Sequence, residues 1–114
     1  MNCPRCAFAL VPHVTAGVEI DGCRSCGGLW LDDHELQQLG NNPPALAQAA
    51  AAFHVDTPPE LVARSSMLCP RDRTPLTPYE FTSLKGVPLD LCGTCRGVWL
   101  DAGEAAAIER LLAI

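Results

Sequence analysis

The chain has no long hydrophobic run, few aromatic residues and few positive charges, and each shortage excludes something. No segment approaches the roughly 18–20 apolar residues that span a bilayer, so no membrane association is expected. No basic stretch followed by an apolar run opens the sequence, so no secretion signal is expected and the setting reads as reducing and cytoplasmic. Eight Lys and Arg stand against thirteen Asp and Glu, for a formal net charge of −5. The cations are scattered as Arg5, Arg24, Arg64, Arg71, Arg73, Lys85, Arg96 and Arg110, with Arg71 and Arg73 the one local pair. Affinity for nucleic acid is built largely on neutralised phosphates, so this balance disfavours DNA or RNA as a partner. His13, His34 and His54 are the only histidines, and each reads as a surface or packing residue.

Against these shortages stand seven cysteines in 114 residues. Half of so short a chain cannot bury enough apolar surface to be stable alone, so a staple is expected. Cysteines supply it either as disulfides or as metal ligands, and the compartment usually decides. A reducing setting and an odd count both favour thiolate–metal chemistry.

The cysteines fall in an internal repeat. The first copy runs Cys3-Pro4-Arg5-Cys6, then Gly17 through Cys23-Arg24-Ser25-Cys26-Gly27-Gly28-Leu29-Trp30-Leu31-Asp32, then Glu35. The second runs Cys69-Pro70-Arg71-Asp72, then Gly86 through Cys92-Gly93-Thr94-Cys95-Arg96-Gly97-Val98-Trp99-Leu100-Asp101, then Glu104. From the glycine onward the copies align without a gap. Before it the second copy carries three extra residues, which a hairpin tip tolerates.

Within each copy the alternation of apolar residues predicts a hairpin. Its strands are 10–15 and 18–21 in the first copy, turning at Ala16-Gly17, and 79–84 and 87–91 in the second, turning at Lys85-Gly86. Short third strands are expected at 29–31 and 98–100. Asp32-x-x-Glu35 and Asp101-x-x-Glu104 have capping-box spacing, so a helix should follow each hairpin. The first ends near Gly40, and the second carries Ala105, Ile108, Leu111 and Leu112 as an apolar stripe. Between the copies, Pro43 to Phe53 reads as a helix with proline in its first turn, and a shorter helix is expected after Thr57-Pro58-Pro59-Glu60. The fold class is thus a small metal-bound α+β protein. Residues 1–42 form one zinc-ribbon-like module, 43–67 a helical linker and 68–114 a second module.

Zinc takes four tetrahedral ligands, and Cys-x-x-Cys, sixteen residues, Cys-x-x-Cys is the spacing of a zinc ribbon. A two-residue spacer aims two sulfurs at one point, and the hairpin returns the second pair to the first. Cys3, Cys6, Cys23 and Cys26 are therefore assigned to one site. Cys69, Cys92 and Cys95 belong to the other, where Asp72 stands in the place of the fourth cysteine. A carboxylate oxygen is an acceptable zinc ligand, and the loss of one thiolate predicts weaker or more exchangeable binding. His54, Glu104 or water are the rival fourth ligands. Two zinc ions per chain are expected. Trp30 and Trp99 read as each packing over its own hairpin and helix, or else as an exposed recognition patch. Asp32, Glu35, Asp101 and Glu104 read as helix caps rather than as a catalytic set.

The run CPRC…CRSCGGLWLDDHEL, echoed by CPRD…CGTCRGVWLDAGEA, resembles the bacterial transcription factor IIB-type zinc-finger family, whose pattern is CPxC, a hairpin, then CxxCxGxWLDxxEL. The resemblance spans both copies, roughly three quarters of the chain. It implies zinc on Cys3, Cys6, Cys23 and Cys26, and on Cys69, Cys92 and Cys95, while Asp72 departs from the all-cysteine form. The function expected is that of a non-enzymatic zinc-binding module for a protein partner, transcription-associated as a special case. A rubredoxin-like iron protein and a nucleic-acid-binding zinc ribbon are the alternatives. Oligomeric state and partner identity are not legible.

Overall fold

A computed structural model describes residues 1–40, 42–55, 67–80 and 88–101. Among these, six strands and two helices follow one another: β1 (Val11–Thr15), β2 (Val18–Gly22), β3 (Leu29–Leu31), α1 (Asp33–Gly40), α2 (Pro43–Ala52), β4 (Thr77–Glu80), β5 (Pro88–Leu91) and β6 (Val98–Leu100). The Lys85-Gly86 turn, the helix expected after Glu60 and the helix expected after Asp101, with Glu104, lie outside the described residues. No helix among the described residues is long and apolar enough to cross a membrane.

The two copies share a single antiparallel sheet in the order β1-β2-β3-β6-β5-β4. Its centre is the pairing of the two shortest strands, with Leu29 opposite Leu100, Trp30 opposite Trp99 and Leu31 opposite Val98. A palindromic order with Trp30 facing Trp99 places an approximate twofold axis between the tryptophans. Successive side chains on a strand point to opposite faces. Leu29, Leu31, Val98 and Leu100 therefore share one face, and the tryptophans occupy the other.

On the leucine face lies α2. Its buried residues Ala45, Leu46, Ala49 and Ala50 recur on one side of the helix, and Phe53 follows at its end. They form one cluster with Ile20, Leu29, Leu31, Leu89, Val98 and Leu100, so the helix covers strands of both copies. Alanines let the helix sit close to the sheet, while Leu46 and Phe53 contribute about 1.5–3 kcal/mol each by burial. Phe53 lies over Gly22, where any added Cβ would meet its ring. The second copy has Leu91 at the equivalent position, packed against the same cluster.

The outer strands β1 and β4 are protected. Pro12 and Pro78 sit at matching places on them, opposite Asp21 and Asp90, and a proline cannot donate to a further strand. The tip of the first hairpin is the expected two-residue turn, with Ala16 and Gly17 both at positive φ (51° and 79°), the conformation that matches strand twist.

Candidate metal centre

Four near-identical knuckles carry the metal-binding side chains, two from each copy. In each, the leading cysteine accepts a backbone hydrogen bond four residues on and donates one to the carbonyl five residues on. Ala7 N–H donates to Cys3 O at 3.0 Å, Gly27 to Cys23 at 2.8 Å, Arg73 to Cys69 at 2.9 Å and Arg96 to Cys92 at 2.9 Å. In return, the N–H of Cys3, Cys23, Cys69 and Cys92 donates to the carbonyls of Phe8, Gly28, Thr74 and Gly97. This tight loop forces the residue after the second ligand into the left-handed region. Ala7, Gly27, Arg73 and Arg96 have φ of 65°, 82°, 66° and 69°. Only Gly27 adopts it without the steric cost of a side chain.

Backbone amides also point at the sulfurs. Arg5 N–H donates to Cys3 Sγ and Arg71 N–H to Cys69 Sγ, both at 3.4 Å, and the Cys26 and Cys95 amides do the same for Cys23 and Cys92. Such donors stabilise negative sulfur, the form that binds metal.

The knuckles meet in two clusters: Cys3, Cys6, Cys23 and Cys26, and Cys69, Asp72, Cys92 and Cys95. In each, one ligand atom per residue lies within 4.8 Å of all the others. Tetrahedral zinc with sulfur at about 2.3 Å spaces its sulfurs roughly 3.8 Å apart. Cys3 and Cys26 are 3.7 Å apart, Cys6 and Cys23 3.2 Å, and Cys69 and Cys95 3.7 Å. Both Asp72 carboxylate oxygens approach Cys92 Sγ, at 3.5 and 3.4 Å. All seven cysteines are free thiols, so neither set is held by disulfides. The donor sets fit two zinc ions. His54, a rival for the fourth place, is not part of the second cluster, and the rival Glu104 lies outside the described residues.

The sites differ in exposure and charge. In the first, Cys3, Cys23 and Cys26 are buried and Cys6 is half-buried; in the second, Cys69 and Cys92 are buried, Cys95 is half-buried and Asp72 is exposed. The hydrogen bond from Cys3 holds the Cys26 thiol down to about 6, while the same pairing, with burial, pushes Cys3 up. Burial pushes Cys23 up to about 11 and Cys69 up to about 12, and raises Cys95. Burial acts upward on Cys92 and is the largest single influence, but the amides of Cys95 and Thr94 together with hydrogen bonds to the Cys95 and Cys69 thiols outweigh it and bring the thiol below its ordinary value. Asp72 is held down to about 2, chiefly by the Thr74 N–H that donates to Oδ1 at 2.9 Å. Its carboxylate is therefore ionised and oriented throughout the neutral range. Several buried thiols that resist ionisation together make each cluster a poor arrangement for bare cysteines, and one that a dication relieves.

Three sequence readings need correction or completion. The tryptophans reach across to the other copy, which the sequence reading did not include. The Trp30 ring lies against Gly97 of the second copy, and the Trp99 ring against Gly28 of the first, because antiparallel β3–β6 pairing carries each ring across the axis. Both are fully buried, so neither is an exposed recognition patch. The capping reading holds for one half of its box: Glu35 accepts the Asp32 N–H at 2.7 Å. The Asp32 carboxylate is directed elsewhere, accepting from Trp30 Nε1 at 3.2 Å and from the Arg71 guanidinium, with Nε at 2.9 Å. Asp101 repeats this, accepting from Trp99 Nε1 at 2.8 Å and from Arg5 Nε and Nη2 at 2.7 and 2.9 Å. Arg5 and Arg71 are thus the residues that sequence reasoning missed. Their recurrence at one place in both copies, like that of Asp32 and Asp101, was the available signal.

The knuckles, their donor atoms and the repeat agree with the comparisons to known proteins. A family described as transcription factor zinc-finger, of the TFIIB zinc-ribbon type, matches residues 2–42 and 68–110. No curated protein and no solved structure matches the chain significantly. With both copies matched and two four-donor clusters in place, the chain belongs to the transcription factor zinc-finger family and carries two tandem copies of its zinc ribbon.

Proposed function

We propose that this zinc-binding protein is a cytoplasmic, non-enzymatic interaction module in which two metal ions shape a surface for a protein partner. The observation that carries the reading is the surface between the two leading knuckles. There, Met1, Pro4, Leu68, Pro70, Arg71 and Arg73 line an open cleft of about 600 Å³. Met1 and Leu68 are exposed, and Phe8, 62% exposed, stands on the same knuckle as Pro4. Solvent-facing apolar groups gathered beside arginine suit a protein segment that brings apolar and acidic side chains. Four protein donors at each ion also favour a structural role, since catalytic zinc keeps a position for substrate or water. A link to transcription rests on the family alone.

The test is affinity capture from a lysate with the zinc-loaded chain, in parallel with a Phe8→Ser, Leu68→Ser double variant. The reading expects a partner retained by the wild type and lost by the variant. Identical recoveries would remove the cleft from consideration, and recoveries without any transcription component would remove the special case. Elemental analysis of protein as purified should give zinc; iron in its place would overturn the reading in favour of a redox centre.

A further inference from the structure

Each metal site is built by one copy and backed by the other. Both knuckles of the first site touch the second copy: Arg5, between Cys3 and Cys6, forms a two-pronged ion pair with Asp101, and Gly28, two residues past Cys26, lies under the Trp99 ring. Both knuckles of the second site touch the first copy in the same way, through Arg71 with Asp32 and Gly97 with Trp30. Within each copy the tryptophan and aspartate are tied together by the indole N–H. The tryptophan stands on, and the aspartate directly follows, the short strand that leaves the knuckle of their own metal site, since β6 starts at Val98 directly after Gly97 and β3 at Leu29 directly after Gly28.

We propose that these tryptophan–aspartate pairs are positioning elements for the opposite metal site, so that zinc bound at one site raises the affinity of the other. The physical chain is short. Zinc closes a knuckle on its sulfurs and sets the position of the arginine and glycine that the opposite copy docks on. Docking holds the opposite tryptophan and aspartate, and with them the strand that begins at the second knuckle of their own site. A site without metal leaves its arginine and glycine loosely placed, and the partner strand loses its seat. The contacts run both ways, as any coupling of two binding equilibria must. Burial of Trp30 and Trp99, with Asp101 also buried, makes these contacts costly to leave unmade. Arg5 Nε lies 2.7 Å from an Asp101 oxygen, with their side chains only 13% and 9% exposed, so this pair is sheltered from screening.

The test is a zinc titration of the metal-free chain read by native mass spectrometry, which counts ions per molecule. Two independent sites, equal or unequal, put at least half of the molecules in the singly loaded state when half the zinc capacity is filled. A fraction below half therefore demonstrates coupling directly, and because Asp72 makes the two sites unequal the deciding comparison is with a variant that lacks both arginine–aspartate pairs, Arg5→Ala with Arg71→Ala. Coupling of the usual allosteric size, on the order of 10-fold, is expected to hold the wild-type singly loaded fraction well below that of the double variant, and equal fractions in the two proteins would overturn the proposal. The second arm repeats the titration with Arg5→Ala, checked for a wild-type circular dichroism spectrum when fully loaded. The singly loaded fraction should rise in this variant, although Arg5 contributes no ligand atom, and Arg5→Lys should recover only part of the effect because it lacks the two-pronged geometry. An unchanged distribution in Arg5→Ala would remove the arginine–aspartate contact from the coupling.

Discussion

Replacing Gly97 with alanine tests the central contact of the fold with a single methyl group. The backbone there is not in the left-handed region, so alanine is conformationally acceptable. The obstacle is space: a Cβ at Gly97 would lie inside the contact distance of the Trp30 ring and 3.2 Å from Leu31 O. Trp30 is fully buried, so its ring has no solvent to move into and either the ring or the knuckle must shift. Overpacking of this kind costs about 1–3 kcal/mol, which for a chain of this length lowers the melting temperature by roughly 4–13 °C. Gly93, four residues earlier in the same knuckle, has nothing within 4 Å of its own added Cβ. Gly93→Ala should be neutral, or slightly stabilising because alanine restricts the unfolded chain. The assay is thermal unfolding of both zinc-saturated variants by circular dichroism, with tryptophan fluorescence reporting the environment of the rings. Equal melting temperatures for the two variants, with an unshifted emission, would refute the placement of Trp30 across the axis.

The other predictions concern the metal and the acid groups. Zinc in ribbon-like peptides contributes on the order of 10–16 kcal/mol, so strong chelation should abolish the folded spectrum, and an unchanged spectrum after verified zinc removal would contradict metal-dependent folding. Asp72→Ala should lower zinc content from two toward one per chain, whereas Asp72→Cys should slow zinc transfer to a chromophoric chelator; unchanged content in the alanine variant would show the carboxylate dispensable. Glu35 is pushed up from 4.5 to about 6 by burial, so its folded form binds a proton more tightly than the unfolded chain does. The stability this gives is complete below 4.5 and is lost as the pH rises through about 6, so a Glu35→Gln variant should lack that part of the decline when the two proteins are compared point by point. Parallel stability curves across that window would refute the shift.

The site was largely legible in the sequence because zinc ligation is written locally. A two-residue spacer and a tight loop make a knuckle whatever surrounds it, even where an arginine rather than a glycine takes the left-handed place after the second ligand, and repetition of the pattern named Asp72 as the stand-in for cysteine. The strands at 29–31 and 98–100 and the turn at Ala16-Gly17 were legible for the same reason. Each is a short apolar run or a two-residue turn whose preference is set by its own residues. The first-hairpin strands shifted by a residue at their ends, where pairing partners rather than side chains set the limits.

What the sequence determined by itself was therefore the metal chemistry: two donor sets, their members, and the unequal fourth ligand. Tertiary structure alone decided how the copies combine. Val-Trp-Leu and Leu-Trp-Leu are equally content on the edge of their own hairpins or against each other, and nothing local distinguishes the two arrangements. Pairing β3 with β6 removes both from the sheet edge, lets α2 cover the leucines of both copies at once, and brings each arginine to the opposite aspartate. The physical reason is that burial and ion pairing reward contacts between residues as far apart as Arg5 and Asp101, which no window along the chain contains.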